Sequence, residues 1–309
     1  MTIGLLIPTY NAENELDYLL NSIVKMKCIS KTLIIDSSSN DSTLEIAKKF
    51  NVTVHSIPKN EFNHGATREL GRKLLGTDIV VMITQDVMFY NEDTISLLIK
   101  PIEDGKAVVA YARQIARNNA DIFEIFPRKF NYPAISHFRC LEEKQKFGVY
   151  TFFCSDSCAA YLSSALNEIG GFPPVLTHED YFVVARLLQK GYKIAYVAEA
   201  KIIHSHRYTI IEEFQRYYDA GFVRGQNPWV SKIVGKAEGR GRDLSYAMLQ
   251  EIIAQNILLL PYFTIVTIAK YLGFKLGQIA VNFSPQVQML FSSQKWYWKS
   301  KYFKREINS

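Results

Sequence analysis

Up to Asp86 the chain alternates four short apolar runs with stretches of helical periodicity, and that alternation leaves few folds open. The runs are IGLLIP (3–8), TLIID (32–36), VTVHSI (52–57) and DIVVMI (78–83). Between them, ENELDYLLNSIVKM (13–26) repeats apolar residues at Leu16, Leu19, Leu20, Ile23 and Val24, the spacing of one helix face. DSTLEIAKKF (41–50) opens on Asp41 or Ser42 as a cap, and ATRELGRKLLG (66–76) closes on Gly76. Strands that are apolar throughout and separated by helices predict a parallel sheet covered on both faces. Ligands of such sheets bind beyond the carboxyl ends of the strands.

The strand ends therefore carry information. They are Thr9-Tyr10-Asn11, Asp36-Ser37-Ser38 and Thr84-Gln85-Asp86. The next apolar pattern starts only near Asp93, which is the better helix cap, so Asp86 is left over. A hard cation bridging a carboxylate and a diphosphate is its obvious use, because Mg2+ keeps most of its coordination in water and phosphate oxygens. The first turn, IPTYNAENE, has no glycine, and no G-x-x-x-x-G-K-[ST] loop occurs anywhere, which argues against a dinucleotide-binding dehydrogenase and a P-loop NTPase.

With 309 residues, 48% of them hydrophobic and 21% charged, there is room for one large α/β domain and an accessory segment. The net charge of +6 comes without a basic, aromatic-interleaved stripe in the first 290 residues, so no nucleic-acid partner is expected. Cys28, Cys140, Cys154 and Cys158 lack zinc-site spacing and suit buried free thiols in a reducing cytoplasm. MTIGLLIPTY shows no basic n-region or cleavage site, so export is not expected.

Further along, VVAYARQI (108–115) suggests a strand, and the aromatic, proline-containing 117–150 region an insertion or lid. In THEDYFVVARLLQKG (177–191), Thr177 can cap and Glu179 and Asp180 fall in the first helical turn. Helix-dipole stabilisation explains one acid there, and a general base for an incoming hydroxyl explains the pair better. His204 and His206, two apart in IIHSH, would share one strand face and could meet a metal or phosphate. EFNHGATRELG sets His64, Gly65 and Arg68 at a helix N-terminus, which suits an anion. Residues 252–269 carry no charge, but Gln255, Asn256 and Pro261 favour an interfacial or self-associating helical region over a membrane span. Trp296, Tyr297, Trp298, Tyr302 and Phe303 among Lys295, Lys299, Lys301, Lys304 and Arg305, with Glu306 the lone acid, suit an anionic bilayer surface.

In this order the pieces resemble glycosyltransferase family 2, inverting enzymes with a GT-A fold. LLIPTYNAENEL, IIDSSSNDST, TQD and HEDYFVVARLLQKGY match its opening strand, second-strand aspartate, metal-binding D-x-D region and catalytic E-D helix. FNHGATRELG with TQD is similar, more narrowly, to bacterial rhamnosyltransferases of rhamnose-rich cell-wall polysaccharide synthesis. The resemblance covers residues 1 to about 225. It implies an α/β, GT-A type, mostly parallel sheet flanked by helices in 1–225. The remaining segment, 226–309, would be helical and basic-aromatic, associating with a membrane or with a second copy.

The family's roles carry over residue by residue. Thr9, Tyr10, Asn11, Glu13, Ser38 and Gln85 would line the sugar-nucleotide site, Asp36 would hydrogen-bond the pyrimidine, and Arg68 would help hold the donor. Asp86 would ligate Mg2+ or Mn2+, with His204 or His206 completing the coordination. Asp180, beside Glu179, would be the base. The donor implied is dTDP-β-L-rhamnose and the acceptor an undecaprenyl-linked saccharide, used by a peripheral enzyme on the inner face of the cell membrane. One departure stands out: Thr84 occupies the place of the first acid of D-x-D. A different sugar nucleotide, or a non-catalytic assembly scaffold, is the rival reading. A nucleotidyltransferase is disfavoured because PTYNAENE lacks the glycine-rich basic loop that binds a triphosphate.

Overall fold

Each of the four apolar runs is a strand: β1 (Ile3–Thr9), β2 (Lys31–Asp36), β3 (Thr53–Ser56) and β4 (Ile79–Ile83). They lie parallel in the order β3-β2-β1-β4, in the computed structural model, which describes residues 1–50 and 52–303. Alternate side chains go to opposite faces. Leu6, Leu33, Ile35, Val80 and Met82 enter one core, and Leu5, Ile7, Ile34, Val81 and Ile83 the other. Burial on both faces is why β1, β2 and β4 show no polar alternation, whereas β3, at the sheet edge, is largely exposed; each buried aliphatic side chain contributes on the order of 1.5–3 kcal/mol.

Five more strands complete the sheet: β5 (Met88–Phe89), β6 (Val109–Ile115), β7 (His137–Arg139), β8 (Cys158–Leu162) and β9 (Ile194–Ile203). The full order is β3-β2-β1-β4-β8-β6-β9-β5, with β7 also on β9. β8 runs antiparallel to both β4 and β6. Its beginning therefore lies at the carboxyl end of β4, where Cys158 opposes Ile83. Helices Leu16–Val24, Thr43–Lys49 and Thr94–Glu103 cover one face; His64–Leu75, Glu179–Gln189 and part of Ile210–Gln226 cover the other.

Four expectations need correction. Residues 117–150 are not a free lid: they form helix Ile122–Asn131 and β7, anchored by Arg139, which is fully buried. Its guanidinium donates to the Tyr111 hydroxyl at 2.8 Å and to the Phe153 and Tyr150 carbonyls. The strand expected to carry IIHSH stops short of both histidines: β9 ends at Ile203, after a register shift against β6 that follows Ala112. His204 and His206 therefore lie just past a strand, not on one. The cysteines are all free, but only Cys154 and Cys158 are buried, with Cys28 and Cys140 half-buried. Finally, Tyr297 and Trp298 do not face outward: both are buried, Trp298 with its ring 4.7 Å from that of Phe222. Lys304, Arg305 and Glu306 of the basic tail lie outside the described residues.

The charge-free run is broken at Asn256, between helices Glu238–Gln255 and Leu260–Ile279. The second of these packs along Ile210–Gln226 through glycines on both sides. A Cβ on Gly221 would come within 2.0 Å of the Phe274 carbonyl oxygen, and one on Gly277 within 2.1 Å of that of Tyr218. Gly225 and Gly273 are similarly tight, so G-x-x-x-G on each helix brings backbone against backbone.

Candidate active site

The loops after β1, β2 and β4 are tied to one another at the carboxyl edge. Gln85 clasps the Tyr10 peptide in both directions: its Oε1 accepts from Tyr10 N at 2.9 Å, and its Nε2 donates to Tyr10 O at 3.3 Å. Asn11 N donates to Ser39 Oγ at 2.8 Å, and Asn11 Oδ1 accepts from Asn40 N at 3.1 Å. Glu13 accepts from Ser42 N, while its own N–H donates to Asp41. Ser38 Oγ donates to Ile57 O, and Lys59 sits over the exposed Tyr10 ring. Asn11, Ser38 and His178 are the non-glycine residues with left-handed backbone among the described residues. Held strain of this kind concentrates at functional loops.

Asp36 is fully buried, accepting from the Thr9 and Ser39 hydroxyls and from Ser39 N. In this arrangement it braces the second loop from beneath.

Asp86 meets both histidines. Its Oδ2 lies 2.9 Å from His206 Nε2 and 3.3 Å from His204 Nε2, and the two Nε2 atoms are 3.0 Å apart. That oxygen is buried and accepts no well-formed hydrogen bond. His204 Nδ1 donates to Gln114 Oε1 at 3.2 Å, and Gln114 Nε2 donates to Ser155 Oγ at 2.8 Å. With its proton held at Nδ1, His204 turns a lone pair from Nε2 toward Asp86. Burial favours the neutral imidazole. Three donors about 3 Å apart suit adjacent corners of an octahedral ion with ~2.1 Å bonds, for which neighbouring ligands stand ~3 Å apart. The donor set fits a divalent cation.

A second cluster surrounds the start of helix Glu179–Gln189. The helix N-cap is His178 in left-handed conformation, not Thr177. Arg68, expected at the donor, is instead buried between Glu179, to which its guanidinium is hydrogen-bonded, and Asp156 Oδ2, 3.2 Å from its Nε. Gly65 explains how the helices approach so closely: a Cβ there would meet the Pro173 carbonyl oxygen at 1.9 Å. Asn63 caps its own helix through Ala66 N and donates to Val175 O, pinning the loop that leads to the acids. FNHGATRELG is thus a brace for the acid-bearing loop.

One guanidinium faces three carboxyls. Burial raises the Asp180 carboxyl far above the usual carboxylate range, and repulsion from Asp156 and Glu179 adds to it. Asp156 is pushed up to about 6, mainly by burial, with Arg68 pulling the other way and Glu179 pushing with it. Burial raises the Glu179 carboxyl, but Arg68, His64, His178 and a backbone N–H together outweigh it and hold Glu179 low. The aspartates of the cluster thus hold a proton more tightly than a free carboxylate does, and Asp180, once it has lost that proton, is a stronger base than an exposed aspartate.

The comparisons with known proteins fit this geometry. The family model described as glycosyl transferase family 2 matches residues 5–170. The O-antigen chain rhamnosyltransferase RfbN of Salmonella typhimurium is 35% identical over 304 residues, 97% of each chain. The chain belongs to glycosyl transferase family 2. The O-antigen chain rhamnosyltransferase WbaN of Salmonella anatum is also 35% identical, over 96% of this glycosyltransferase and 95% of WbaN. Among solved structures, mannosyltransferase PcManGT of Pyrobaculum calidifontis, in complex with GDP-Man and Mn2+, superposes with TM-score 0.63 at 14% identity, over 91% of this chain and 87% of that one. S. aureus TarS 1-349 with UDP-GlcNAc gives 0.57 at 15% identity, over 91% of each. These confirm the GT-A type fold of the glycosyltransferase.

Sequence reasoning missed the residues that join the two clusters. Ser155 accepts from Gln114 on the histidine side, and the next backbone N–H, of Asp156, donates to Asp180 Oδ2 at 3.3 Å. Two consecutive residues of the glycosyltransferase thus touch the support of the Asp86–histidine trio and the acid cluster. The available signal was an acid at the mouth of an apolar strand, in CSDSCAAYL.

Proposed function

We propose that this glycosyltransferase moves L-rhamnose, with inversion, from dTDP-β-L-rhamnose to a hydroxyl of an undecaprenyl-linked saccharide during polysaccharide synthesis. The sugar assignment is supported by likeness to two O-antigen chain rhamnosyltransferases over nearly the whole chain. The observation that carries the chemistry is the Asp86–His204–His206 trio linked through Ser155-Asp156 to Asp180, a buried carboxyl whose ionised form is a strong base.

In this reading Thr9, Tyr10, Asn11, Glu13, Ser38 and Gln85 line the nucleotide site, with Asp36 supporting their loops. Asp86, His204 and His206 hold the divalent cation, and two imidazoles favour Mn2+ over Mg2+. Bound there, the metal supplies charge stabilisation to the departing diphosphate. Asp180 removes the proton of the acceptor hydroxyl from the opposite face of the anomeric carbon. Glu179 and Arg68 set the charge around it. Catalysis belongs to 1–225, and 226–309 holds the enzyme at the inner face of the cytoplasmic membrane.

The test is nucleoside diphosphate release from a panel of sugar nucleotides, with Mn2+, with Mg2+ or with chelator, and membrane-lipid extract as acceptor. Release from dTDP-rhamnose alone, lost with chelator and restored better by Mn2+, is expected. Release from another donor refutes the sugar assignment, and full activity in chelator refutes the metal.

A further inference from the structure

We infer that the outward face of helix Leu260–Ile279, with the turn Ile257–Leu259 before it, is the surface on which the enzyme lies against an anionic lipid bilayer. This rests on the membrane reading above and replaces the aromatic tail as the contact. Ile257, Leu258, Ile265, Ile268, Leu272 and Ile279 are all more than half exposed, Leu258 at 83%. They recur at helical spacing along the stretch Ile257–Asn282. A contiguous apolar stripe of this length on a soluble surface marks a contact site.

The other side of the same helix excludes a spanning role. It is fastened by Gly273 and Gly277 to helix Ile210–Gln226, which carries Glu212, Glu213, Arg216, Asp219 and Arg224. Lys270 also reaches across to Glu213 at 3.0 Å. Taking one helix through a bilayer would drag these charges with it. A helix with one apolar exposed face and a protein-bound back lies in the plane of the interface.

Charge selects the kind of surface. Residues 226–309 hold eleven Lys and Arg against four Asp and Glu, whereas 1–225 is net negative by one. The whole basic excess of the chain is thus in the segment that presents the stripe, which complements anionic headgroups. Position agrees as well. Tyr262 packs edge-on against Phe123 of helix Ile122–Asn131. That helix in turn touches the segment of the metal-site histidines: Glu124 accepts from Ser205 Oγ, and Arg128 donates to His204 O. One helix therefore separates the start of the stripe from the histidine segment, so an acceptor anchored in the same bilayer would reach the site from this side.

The test uses the full chain, without donor, sedimented with vesicles of phosphatidylglycerol and phosphatidylethanolamine or of phosphatidylcholine alone. Binding to the anionic vesicles, weakened by salt, is expected. It should fall at least tenfold in Ile265→Glu/Ile268→Glu and hold in Leu74→Glu, an equally exposed change on another helix. Ile265→Ser/Ile268→Ser, checked for unchanged melting temperature, guards against a folding defect and should also bind more weakly. Wild-type levels of binding in both double variants, or no binding by the wild type, overturn the inference. So does a wild-type dimer in analytical ultracentrifugation that the double variants convert to monomer, since a second copy would then own the face. The readout needs no donor, so failure of the rhamnose assignment leaves it standing.

Discussion

Asp156→Asn probes the acid cluster without dismantling it. The side chain keeps its shape, and Tyr161, whose hydroxyl donates to Asp156 Oδ1 at 2.5 Å, can donate equally to an amide oxygen. What changes is charge. Asp156 N–H touches the Asp180 carboxyl, and two unit charges ~6 Å apart at an effective dielectric of ~20 repel by ~3 kcal/mol, or ~2 pH units, which sets the scale of the effect. Removing a negative neighbour makes Asp180 easier to ionise. Arg68, released from Asp156 but still held by Glu179, acts in the same direction. The acid limb of kcat/KM, followed by nucleoside diphosphate release from pH 5 to 9, should therefore move one to two units, in order of magnitude, toward lower pH. Asp219→Asn is the control. It too is a buried carboxyl pushed up to about 6 by burial, but it is bonded to Ser293, away from the cluster, and should leave the limb in place. An unmoved limb in Asp156→Asn, or one moved upward, refutes the claim that the two carboxyls share a proton.

Three further perturbations test separate parts of the molecule. Asp180→Asn should lower turnover at least about a hundredfold while donor binding persists in calorimetry. Because the folded state binds this proton more tightly than the unfolded chain, the native carboxyl costs stability increasingly as pH rises above ~3.9, so the variant should melt higher at pH 8 and gain little at pH 4. Gln114→Leu frees the His204 tautomer and should weaken Mn2+ binding roughly 10- to 100-fold by calorimetry; undiminished affinity would remove Gln114 from that role. Gly277→Ala drives a methyl into the Tyr218 carbonyl and should cost about 1–3 kcal/mol, whereas Gly241→Ala, with open space around it, should gain up to about 1 kcal/mol in thermal melts.

The parallel half of the sheet was legible because β1, β2 and β4 are buried on both faces, which writes an unbroken apolar run that stops where the ligand edge begins. The convergence of Asp86, His204 and His206 was legible for the same reason: each lies within three residues of a strand end. Asp156 was not, because it precedes its strand, and an acid there has no local period to betray it. Gln114 sits within β6, and only the fold brings it to His204. The partners of Arg68 were not legible, because a cation at a helix N-terminus suits an anion of any origin; sequence spacing cannot tell a phosphate from Glu179, 111 residues away. The tail misled through composition, since aromatics among lysines are alike whether they face lipid or, as with Trp298, the side of a neighbouring helix.

The reversed direction of β8 also bears on how the chain comes off the ribosome. β4 is wholly apolar, and the strand that covers its open side starts about 75 residues later. At 5–20 residues per second the nascent sheet would carry an unpaired central ladder for roughly 4–15 s. Chains stalled before Cys158 would present that ladder as a sticky template. The same strand that delivers Asp156 to the acid cluster is thus the one whose arrival ends the most aggregation-prone interval of synthesis.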